Sequence, residues 1–423
     1  MQIKGGFPLK GEVDVSPSSQ ESLFSLGSGL IFNESLILDK LSLCGLVTQS
    51  LEMYREFGVC IVRNDDGLSV SNIKDSSSVL FLKHSYLWQP LFFALPGLLR
   101  THGFLSVRSG RPKLFLSAAV KEALELFFEF GLKIQADDDF LNLTKADHPF
   151  ENKIITLSQK SSFLTALALL MTAAFVEKEI VFTNVKLDIE ILRFLDMLKK
   201  FGFDYRINQE DGVLFLNKEL KEIPVVRHSI GFDPYDLGIF SLSGLLSNGS
   251  VICKKVVSKE ILPFLSILEK IGLVFESSDS SLTIWSENTD NYSLSKTFSL
   301  TSPYFSWVWD PLICLALSRL CQNCLLATPY THLSSLWIRD FRHLGIKIEL
   351  VEISEEKMYR ISGKNSLSGK SLNLPFSPLS SCLFLVCLLA SGKSDLSSDS
   401  ALDFFHENLV QRFINLGAQI SFN

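Results

Sequence analysis

Short clusters of charged residues interrupt a chain that is otherwise rich in apolar residues. One basic cluster is GRPK, residues 110–113, which contains Arg111 and Lys113 and has Arg108 nearby. Guanidinium and ammonium groups of this kind bind phosphates and carboxylates through charge-assisted hydrogen bonds. The cluster is typical of a solvated surface loop, with an anion site as the alternative.

The cysteine and histidine residues do not form a complete metal or redox motif. Cys321 and Cys324 have the spacing of such a motif, but no second Cys or His pair in the sequence completes a tetrahedral site. The other cysteines lie mostly in apolar runs, where a free thiol behaves as a small hydrophobic group. The sequence therefore predicts neither a metal site nor a cofactor.

The composition predicts a globular protein without a nucleic-acid or membrane partner. The 423 residues are 47% hydrophobic and 20% charged, with a formal net charge of -6 and no long basic run. The longest uncharged apolar stretch, residues 161–176, is shorter than the roughly 20 residues of a membrane-spanning helix. Residues 1–13 lack the pattern of a signal peptide, so we expect a cytoplasmic protein.

A bulky apolar residue followed by glycine recurs along the whole chain. The glycines, spaced 73, 71, 70, 73 and 72 positions apart, are Gly58, Gly131, Gly202, Gly272, Gly345 and Gly417. Other large apolar residues lie three and about seven positions before each of these bulky residues, which indicates the buried face of a helix. A glycine in the left-handed conformation would end that helix. Alternating apolar and polar residues after each glycine indicate strands. The spacing therefore predicts six repeats of roughly seventy residues.

Each repeat also contains a second helical segment with almost no polar face. These segments are residues 22–31, 88–99, 161–176, 235–246, 311–320 and 379–390. A helix that is apolar on all sides must be surrounded by protein. We therefore predict an α/β fold with one buried and one amphipathic helix per repeat and the strands outside, with a solenoid as the alternative.

The N-terminal sequence GGFPLKGEV, residues 5–13, resembles the beginning of the enolpyruvyl transferases, in particular those that act on UDP-N-acetylglucosamine. The family's pattern follows the chain almost without gaps over residues 7–58, 88–132, 158–202, 230–256 and 376–420. The sequence SSFLTAL, residues 161–167, is also similar to the 5-enolpyruvylshikimate-3-phosphate synthases. The resemblance implies two inside-out α/β barrels with three repeats in each.

The resemblance also implies how the chain is divided into domains. In that family the chain leaves one domain after its first strands and returns to it midway along the sequence. The implied domains are residues 21–229, and residues 1–20 together with 230–423. The substrates, a UDP-sugar and phosphoenolpyruvate, would bind in the cleft between them.

The residues that the family's reaction needs are largely replaced in this chain. Phosphoenolpyruvate carries a phosphate and a carboxylate, which need several Arg or Lys side chains, and the addition needs acid and base groups. The implied Lys–Asn pair, reactive Cys and catalytic Asp are replaced by Ser19, Gln20, Lys113 and Val308. The implied arginines are replaced by Gln89, Ala118, Ser334, Pro378 and Phe404.

A smaller set of positions keeps residue types that the resemblance implies. Lys160 and Ser162 match a motif that contacts the nucleotide part of the substrate, and Asp233 matches an aspartate of the family pattern. Their alternatives are a solvated lysine, a helix cap and a turn residue, respectively. Arg111 remains a substrate-binding candidate if the alignment shifts. The catalytic candidates are Asp310 and Lys113.

These residues predict an impaired or inactive paralogue of the UDP-N-acetylglucosamine enolpyruvyl transferases, which binds a UDP-sugar, another small phosphorylated ligand or a protein partner. One alternative is an active transferase with a rearranged site built on Arg111, Lys113, Lys160 and Asp310. Another is the shikimate-pathway synthase, whose Lys-Ser and Asp-His-Arg motifs are absent at residues 19–20 and 376–379.

Overall fold

The computed structural model of the protein describes residues 1–64, 67–72, 77–145, 154–158, 161–176, 179–208, 211–218, 225–270, 273–285, 296–299, 308–321, 323–353, 355–362 and 366–422. The chain divides into two compact units. Unit 1 comprises Met1–Ser16 and Phe232–Asn423, and unit 2 comprises Pro17–Gly231.

Helices that are buried along almost their whole length alternate with helices that have a polar face. In chain order the helices are α1 (Ser19–Phe32), α2 (Gly45–Glu56), α3 (Trp88–His102), α4 (Ala118–Glu129), α5 (Ser162–Phe175), α6 (Ile189–Lys200), α7 (Pro234–Leu246), α8 (Ser258–Lys270), α9 (Trp309–Leu320), α10 (Ile338–His343), α11 (Leu379–Leu389), α12 (Ser400–Phe405) and α13 (Leu409–Asn415).

The strands are short and lie between these helices. In chain order they are β1 (Gln2–Gly5), β2 (Lys10–Asp14), β3 (Leu36–Asp39), β4 (Val59–Asn64), β5 (Gly67–Asn72), β6 (Val79–Leu82), β7 (Phe104–Ser109), β8 (Lys133–Ala136), β9 (Phe140–Thr144), β10 (Ile154–Thr156), β11 (Ile180–Thr183), β12 (Phe203–Asn208), β13 (Val213–Lys218), β14 (Val226–Ser229), β15 (Ser250–Lys254), β16 (Val274–Ser277), β17 (Ser281–Trp285), β18 (Lys296–Ser299), β19 (Asn323–Ala327), β20 (Ile348–Ile353), β21 (Glu356–Ser362), β22 (Ser371–Asn373), β23 (Gly392–Ser397) and β24 (Gln419–Ser421).

The strands form four-stranded sheets that share one arrangement. Unit 1 contains the sheets β2-β15-β17-β16, β18-β19-β21-β20 and β22-β23-β1-β24. Unit 2 contains β14-β3-β5-β4, β6-β7-β9-β8 and β10-β11-β13-β12. In each of these orders the first two strands are parallel and the remaining pairs are antiparallel.

The apolar helices occupy the interior of each unit. In unit 2, α1, α3 and α5 contact one another, and in unit 1, α7, α9 and α11 do the same. Their residues are buried along almost their whole length, and strands such as β5 and β17 cover them. The predicted α/β fold, with buried helices inside and strands outside, is confirmed.

The predicted helix-ending glycines adopt the left-handed backbone conformation. The φ angles are 83° at Gly58, 76° at Gly131, 86° at Gly202, 102° at Gly345 and 97° at Gly417. Gly272 lies outside the described residues. The predicted caps are therefore confirmed at these five positions. Along the described ranges, no helix combines the length and apolar character needed to cross a membrane.

We expect Gly417→Ala to lower the free energy of unfolding by about 1 kcal/mol, because an L-residue is strained at positive φ. A Cβ at Gly417 would meet no atom within 4 Å, so the loss would report the backbone conformation alone. Urea unfolding followed by circular dichroism measures it. Gln411→Ala, at an exposed position of α13, serves as the control, and equal midpoints for both variants would contradict the assignment.

Candidate ligand-binding site

Several of the positions with predicted roles lie in the first turn of a buried helix or cap it. They are Ser19 and Gln20 in α1, Gln89 in α3, Ser162 in α5, Asp233 before α7, Asp310 in α9 and Pro378 before α11. The first N–H groups of a helix have no partner within the helix, so polar side chains are favourable there. The middle of each of these helices has no charged residue, so charged side chains are confined to the helix ends.

A pocket lies in unit 2 between α4 and the segments β10 and α5. Its volume is about 390 Å³, which is within the roughly 300–1,000 Å³ of small-molecule sites. Leu124, Leu157 and Leu164 provide apolar walls. The polar lining residues are Lys121, Glu122, Glu125, Glu129, Thr156 and Ser158. Lys160 follows this lining in the sequence but lies outside the described residues.

Ser162 begins α5, close in sequence to the residues that line the pocket, but its hydroxyl forms a hydrogen bond within unit 2. Ser162 Oγ donates to Asp188 Oδ2. The hydroxyl of Ser161, not that of Ser162, caps the helix, since it accepts a hydrogen bond from the Leu164 amide at 3.1 Å. A serine hydroxyl has one proton, so Ser162 can offer a ligand only acceptor lone pairs.

Asp188 holds this arrangement in place from the beginning of α6. Its side chain is buried, and its Oδ1 accepts a hydrogen bond from the Ile191 amide at 3.1 Å. Burial raises the pKa of Asp188, although the Ser162 hydrogen bond and the charge of Lys186 partly oppose that rise. Lys186 is buried as well. The sequence analysis did not identify Asp188, because it contacts Ser162 only through the tertiary fold.

A second buried charge cluster centres on Glu21, which the sequence analysis also missed. Glu21 Oε2 lies 3.1 Å from Arg193 NH1, and Glu21 Oε1 lies 2.9 Å from His228 Nε2. The Gly231 amide donates to Glu21 Oε2 at 3.2 Å. These contacts join α1, α6 and β14, so we assign the cluster a structural role in unit 2.

Arg111 and Lys113 lie on an exposed loop after β7. The Arg111 amide donates to Ser109 Oγ at 3.0 Å, and the Lys113 amide donates to the Asp138 carbonyl at 2.8 Å. Lys113 has a φ of 61°. The loop is thus anchored by its backbone, while both cationic side chains are exposed.

Asp233 caps α7 in unit 1, where its Oδ1 accepts hydrogen bonds from the Tyr235 and Asp236 amides at 2.9 and 3.0 Å. Asp236 is buried and forms a bidentate pair with Arg412, at 2.6 and 2.9 Å. Burial opposes ionisation of Asp236, but the Arg412 charge outweighs it and lowers the pKa. His406, which packs beside Asp236, is held neutral because burial lowers its pKa to about 4.

Asp310 is 2% exposed and faces the interior of unit 1. Its Oδ1 and Oδ2 accept hydrogen bonds from Thr328 Oγ1 at 2.9 and 3.1 Å, and Oδ2 accepts one from Tyr359 Oη at 3.2 Å. Burial raises the pKa of Asp310 to about 7. That pKa suits a general acid or base, but the carboxyl group is enclosed by protein.

An aromatic cluster occupies one position where the resemblance implies an arginine. The ring of Phe404 is centred 4.6 Å from that of Phe376 and 4.9 Å from that of Phe405. Phe404 is 7% exposed. Pro378, at another implied arginine position, caps α11 without a side-chain hydrogen bond. Neither position offers a cation to an anionic ligand.

Cys321 and Cys324 are buried and are not joined in a disulfide. Within the part of the chain that the structure describes, no group of three or more His, Cys, Asp or Glu side chains is placed to hold a metal ion.

The pKa of Asp310 predicts a pH dependence of stability. The folded state keeps a proton up to about pH 7, whereas the unfolded chain releases it near 3.8. The stability from protonated Asp310 is therefore complete below the unfolded pKa and is lost as pH rises through 7. Asp310→Asn cannot ionise, so it should gain stability over the wild type between pH 4 and 8, at about 1.4 kcal/mol per pKa unit.

Thermal or urea unfolding at pH 4.5 and pH 8 measures this difference, with exposed Asp279→Asn as the matched control. A difference between Asp310→Asn and the wild type that is the same at both pH values would rule out a raised pKa at Asp310.

Comparisons with known proteins agree with this architecture. The family profile described as EPSP synthase (3-phosphoshikimate 1-carboxyvinyltransferase) matches residues 3–298. A UDP-N-acetylglucosamine 1-carboxyvinyltransferase from Finegoldia magna is 23% identical over 435 residues, covering 99% of this chain and 98% of the relative. The protein of the same name from Wolbachia sp. subsp. Brugia malayi is 26% identical over 301 residues, or 69% of this chain and 67% of the relative.

Solved structures show the same fold. The enolpyruvyl transferase NikO from Streptomyces tendae has a TM-score of 0.77 at 16% identity, covering 99% of this chain and 98% of that one. EPSP synthase from Acinetobacter baumannii has a TM-score of 0.69 at 14% identity, covering 100% and 99%. The implied inside-out α/β fold is therefore confirmed, and since the family profile covers more than half of the sequence, the chain belongs to the EPSP synthase family of enolpyruvyl transferases.

Proposed function

We propose that this chain is a non-catalytic member of its family, which binds a small ligand but does not transfer an enolpyruvyl group. Two relatives of this chain, from Wolbachia and Finegoldia magna, are named as UDP-N-acetylglucosamine 1-carboxyvinyltransferases. We infer that the ligand is a UDP-sugar or a similar phosphorylated compound, bound at the unit 2 pocket and Lys160.

The packing of Phe404 carries the proposal that transfer is lost. An arginine at this position would present a forked cation to the phosphate or carboxylate of phosphoenolpyruvate. Phe404 instead buries its ring against Phe376 and Phe405, and the face of a phenyl ring is electron-rich. Each lost hydrogen bond to a charged group removes roughly 1.5–3 kcal/mol of binding free energy.

The remaining cationic candidates do not compensate for this loss. The side chains of Arg111 and Lys113 are exposed on their loop, where salt screens their attraction for an anion. Their backbone hydrogen bonds fix the loop and leave the side chains in water. We therefore assign them at most a weak and salt-dependent contact with phosphate.

The raised pKa of Asp310 favours a second candidate function, an active transferase with a rearranged site. A carboxyl group that titrates near pH 7 can exchange protons with a substrate. Both oxygens of Asp310, however, accept hydrogen bonds from Thr328 and Tyr359 within unit 1. Proton transfer to a substrate would require both contacts to open, so we favour the non-catalytic function.

The polar groups near the pocket support weak rather than tight binding of a diphosphate. The Ser162 hydroxyl donates its hydrogen bond to Asp188 and therefore cannot donate one to a phosphate oxygen. Three of the lining side chains, Glu122, Glu125 and Glu129, are carboxylates. Lys121 Nζ, the one cation among the described lining residues, lies 3.9 Å from Glu125 Oε1. The pocket therefore suits the uncharged sugar or base better than the phosphates, and we propose Lys160 as the phosphate contact.

We expect no phosphate release from phosphoenolpyruvate with either UDP-N-acetylglucosamine or shikimate-3-phosphate. A coupled phosphate assay with the Finegoldia magna relative as positive control measures this. A turnover number in the usual enzyme range of roughly 1 to 1,000 per second would refute the proposal and support the rearranged active site.

We expect UDP-N-acetylglucosamine to bind with a dissociation constant in the high micromolar to millimolar range, or about 4 to 6 kcal/mol. Lys160→Ala should weaken binding a few fold, and added salt should weaken it too. Ligand-observed magnetic resonance measures both effects, with Lys254→Ala, an exposed lysine of unit 1, as the matched control. Absence of binding at millimolar ligand would show that no nucleotide site remains.

A further inference from the structure

The chain passes from one unit to the other twice, and each crossing is followed by a buried helix whose first turn contains a buried carboxylate. The first crossing joins Ser16 of unit 1 to Pro17 of unit 2, and the second follows Gly231, where the chain returns to unit 1. The helices after these crossings are α1 and α7. Their carboxylates, Glu21 and Asp236, are 0% and 1% exposed.

In unit 2, the Glu21 carboxylate binds the backbone where the chain leaves the unit. Glu21 Oε2 accepts a hydrogen bond from the Gly231 amide at 3.2 Å, and the Ser18 amide donates to the Gly231 carbonyl at 2.8 Å. Arg193 NH1 and His228 Nε2 lie 3.1 and 2.9 Å from the same carboxylate. The two ends of unit 2 are therefore joined to each other and to this carboxylate.

Unit 1 repeats this arrangement with a different set of residues. Asp236 Oδ2 accepts a hydrogen bond from the Ser16 amide at 3.0 Å, and the Asp233 amide donates to the Ser16 carbonyl at 2.7 Å. Arg412 forms the bidentate pair with Asp236, and His406 Nδ1 lies 4.0 Å from Asp236 Oδ1. Each unit therefore surrounds one buried carboxylate with an arginine, a histidine and a backbone amide at a crossing.

The second crossing has a glycine because an arginine side chain packs against its backbone. A Cβ at Gly231 would lie 2.2 Å from Arg193 Cζ, far inside contact distance. The φ angle of Gly231 is not positive, so the backbone conformation does not itself require a glycine. Any larger residue would displace the guanidinium group from its place beside Glu21.

The two sets of contacts have no residue in common. We call them the α1 cluster, which consists of Ser18, Glu21, Arg193, His228 and Gly231, and the α7 cluster, which consists of Ser16, Asp233, Asp236, His406 and Arg412. A hydrogen bond to a charged group stabilises more than one between neutral groups. Loss of one carboxylate would therefore release the backbone of its own cluster and leave the bonds of the other intact.

We propose that the α1 and α7 clusters are two independent devices, each of which keeps one set of crossing amides closed. Without its carboxylate contacts, a crossing segment opens locally while the core of its unit stays folded. Opening at the α1 cluster also frees the turn that contains Ser19 and Gln20, because Glu21 belongs to the same first turn of α1. The clusters share no residue with the pocket, so the proposal does not depend on the proposed function.

Hydrogen exchange of the full chain tests the proposal, with single amides resolved by mass spectrometry after electron-transfer fragmentation. Glu21→Gln keeps the shape of the side chain but removes its charge and its ion pair with Arg193. The Ser18 and Gly231 amides should then exchange about tenfold faster or more, while the amides of the α7 cluster should be unchanged. Asp236→Asn should produce the opposite pattern.

Gly231→Ala is a second variant, which keeps the test decisive if Glu21→Gln destabilises unit 2 as a whole. Its methyl group would displace the Arg193 guanidinium while Glu21 remains, so it should accelerate exchange of the same two amides. Glu56→Gln, which removes an exposed carboxylate of unit 2, is the matched control and should alter the exchange of neither cluster.

The amides of the buried strand β13 report the stability of the core of unit 2. If Glu21→Gln and Gly231→Ala both accelerate these amides as much as those of the α1 cluster, the variants act on the whole unit and the proposal is overturned. Equal acceleration of both clusters by a single variant would also overturn it, as would unchanged exchange in all variants.

Discussion

A helix without a polar face cannot meet water on any side, and the rest of this structure depends on that constraint. Each unit encloses three such helices, which contact one another and are covered by strands. The hydrophobic effect favours this enclosure because it removes apolar surface from water. Charged residues can then be placed only at helix ends, in loops or on the outer strands. Ser162, Asp233 and Asp310 accordingly lie at the beginning of buried helices, whereas Arg111 and Lys113 lie on an exposed loop.

Charged groups near these helix ends are satisfied mainly by other protein groups. Glu21 binds Arg193 and His228, while Asp236 binds Arg412. A buried charge without a partner is costly, so these pairs stabilise the units once the residues are in place. The same pairing reduces what remains for a ligand. Ser162 illustrates this, since its hydroxyl donates a hydrogen bond to Asp188 and has none left to donate to a phosphate.

The distribution of cations bears on the proposed loss of enolpyruvyl transfer. Transfer from phosphoenolpyruvate needs cations around a small anion, and Phe404, where the resemblance implies an arginine, packs against aromatic rings instead. Arg111 and Lys113 lie on an exposed loop, where they cannot enclose a substrate. A protein that binds without catalysis is consistent with both observations.

The sequence alone determined the α/β fold class, the buried helices and the glycine caps. These features depend on residues close together in the chain, because helical periodicity and left-handed turns are local properties. The resemblance in residues 5–13 also indicated the family, and it implies an arginine where the sequence has Phe404.

Only the tertiary structure decided which partner each polar side chain has. Ser162 meets Asp188, Asp310 is enclosed by Thr328 and Tyr359, and Arg108 lies between Phe81 and Phe140. Each of these contacts joins residues from separate helices or strands. Their contact depends on strand register and helix packing, which long-range burial fixes and no local pattern encodes.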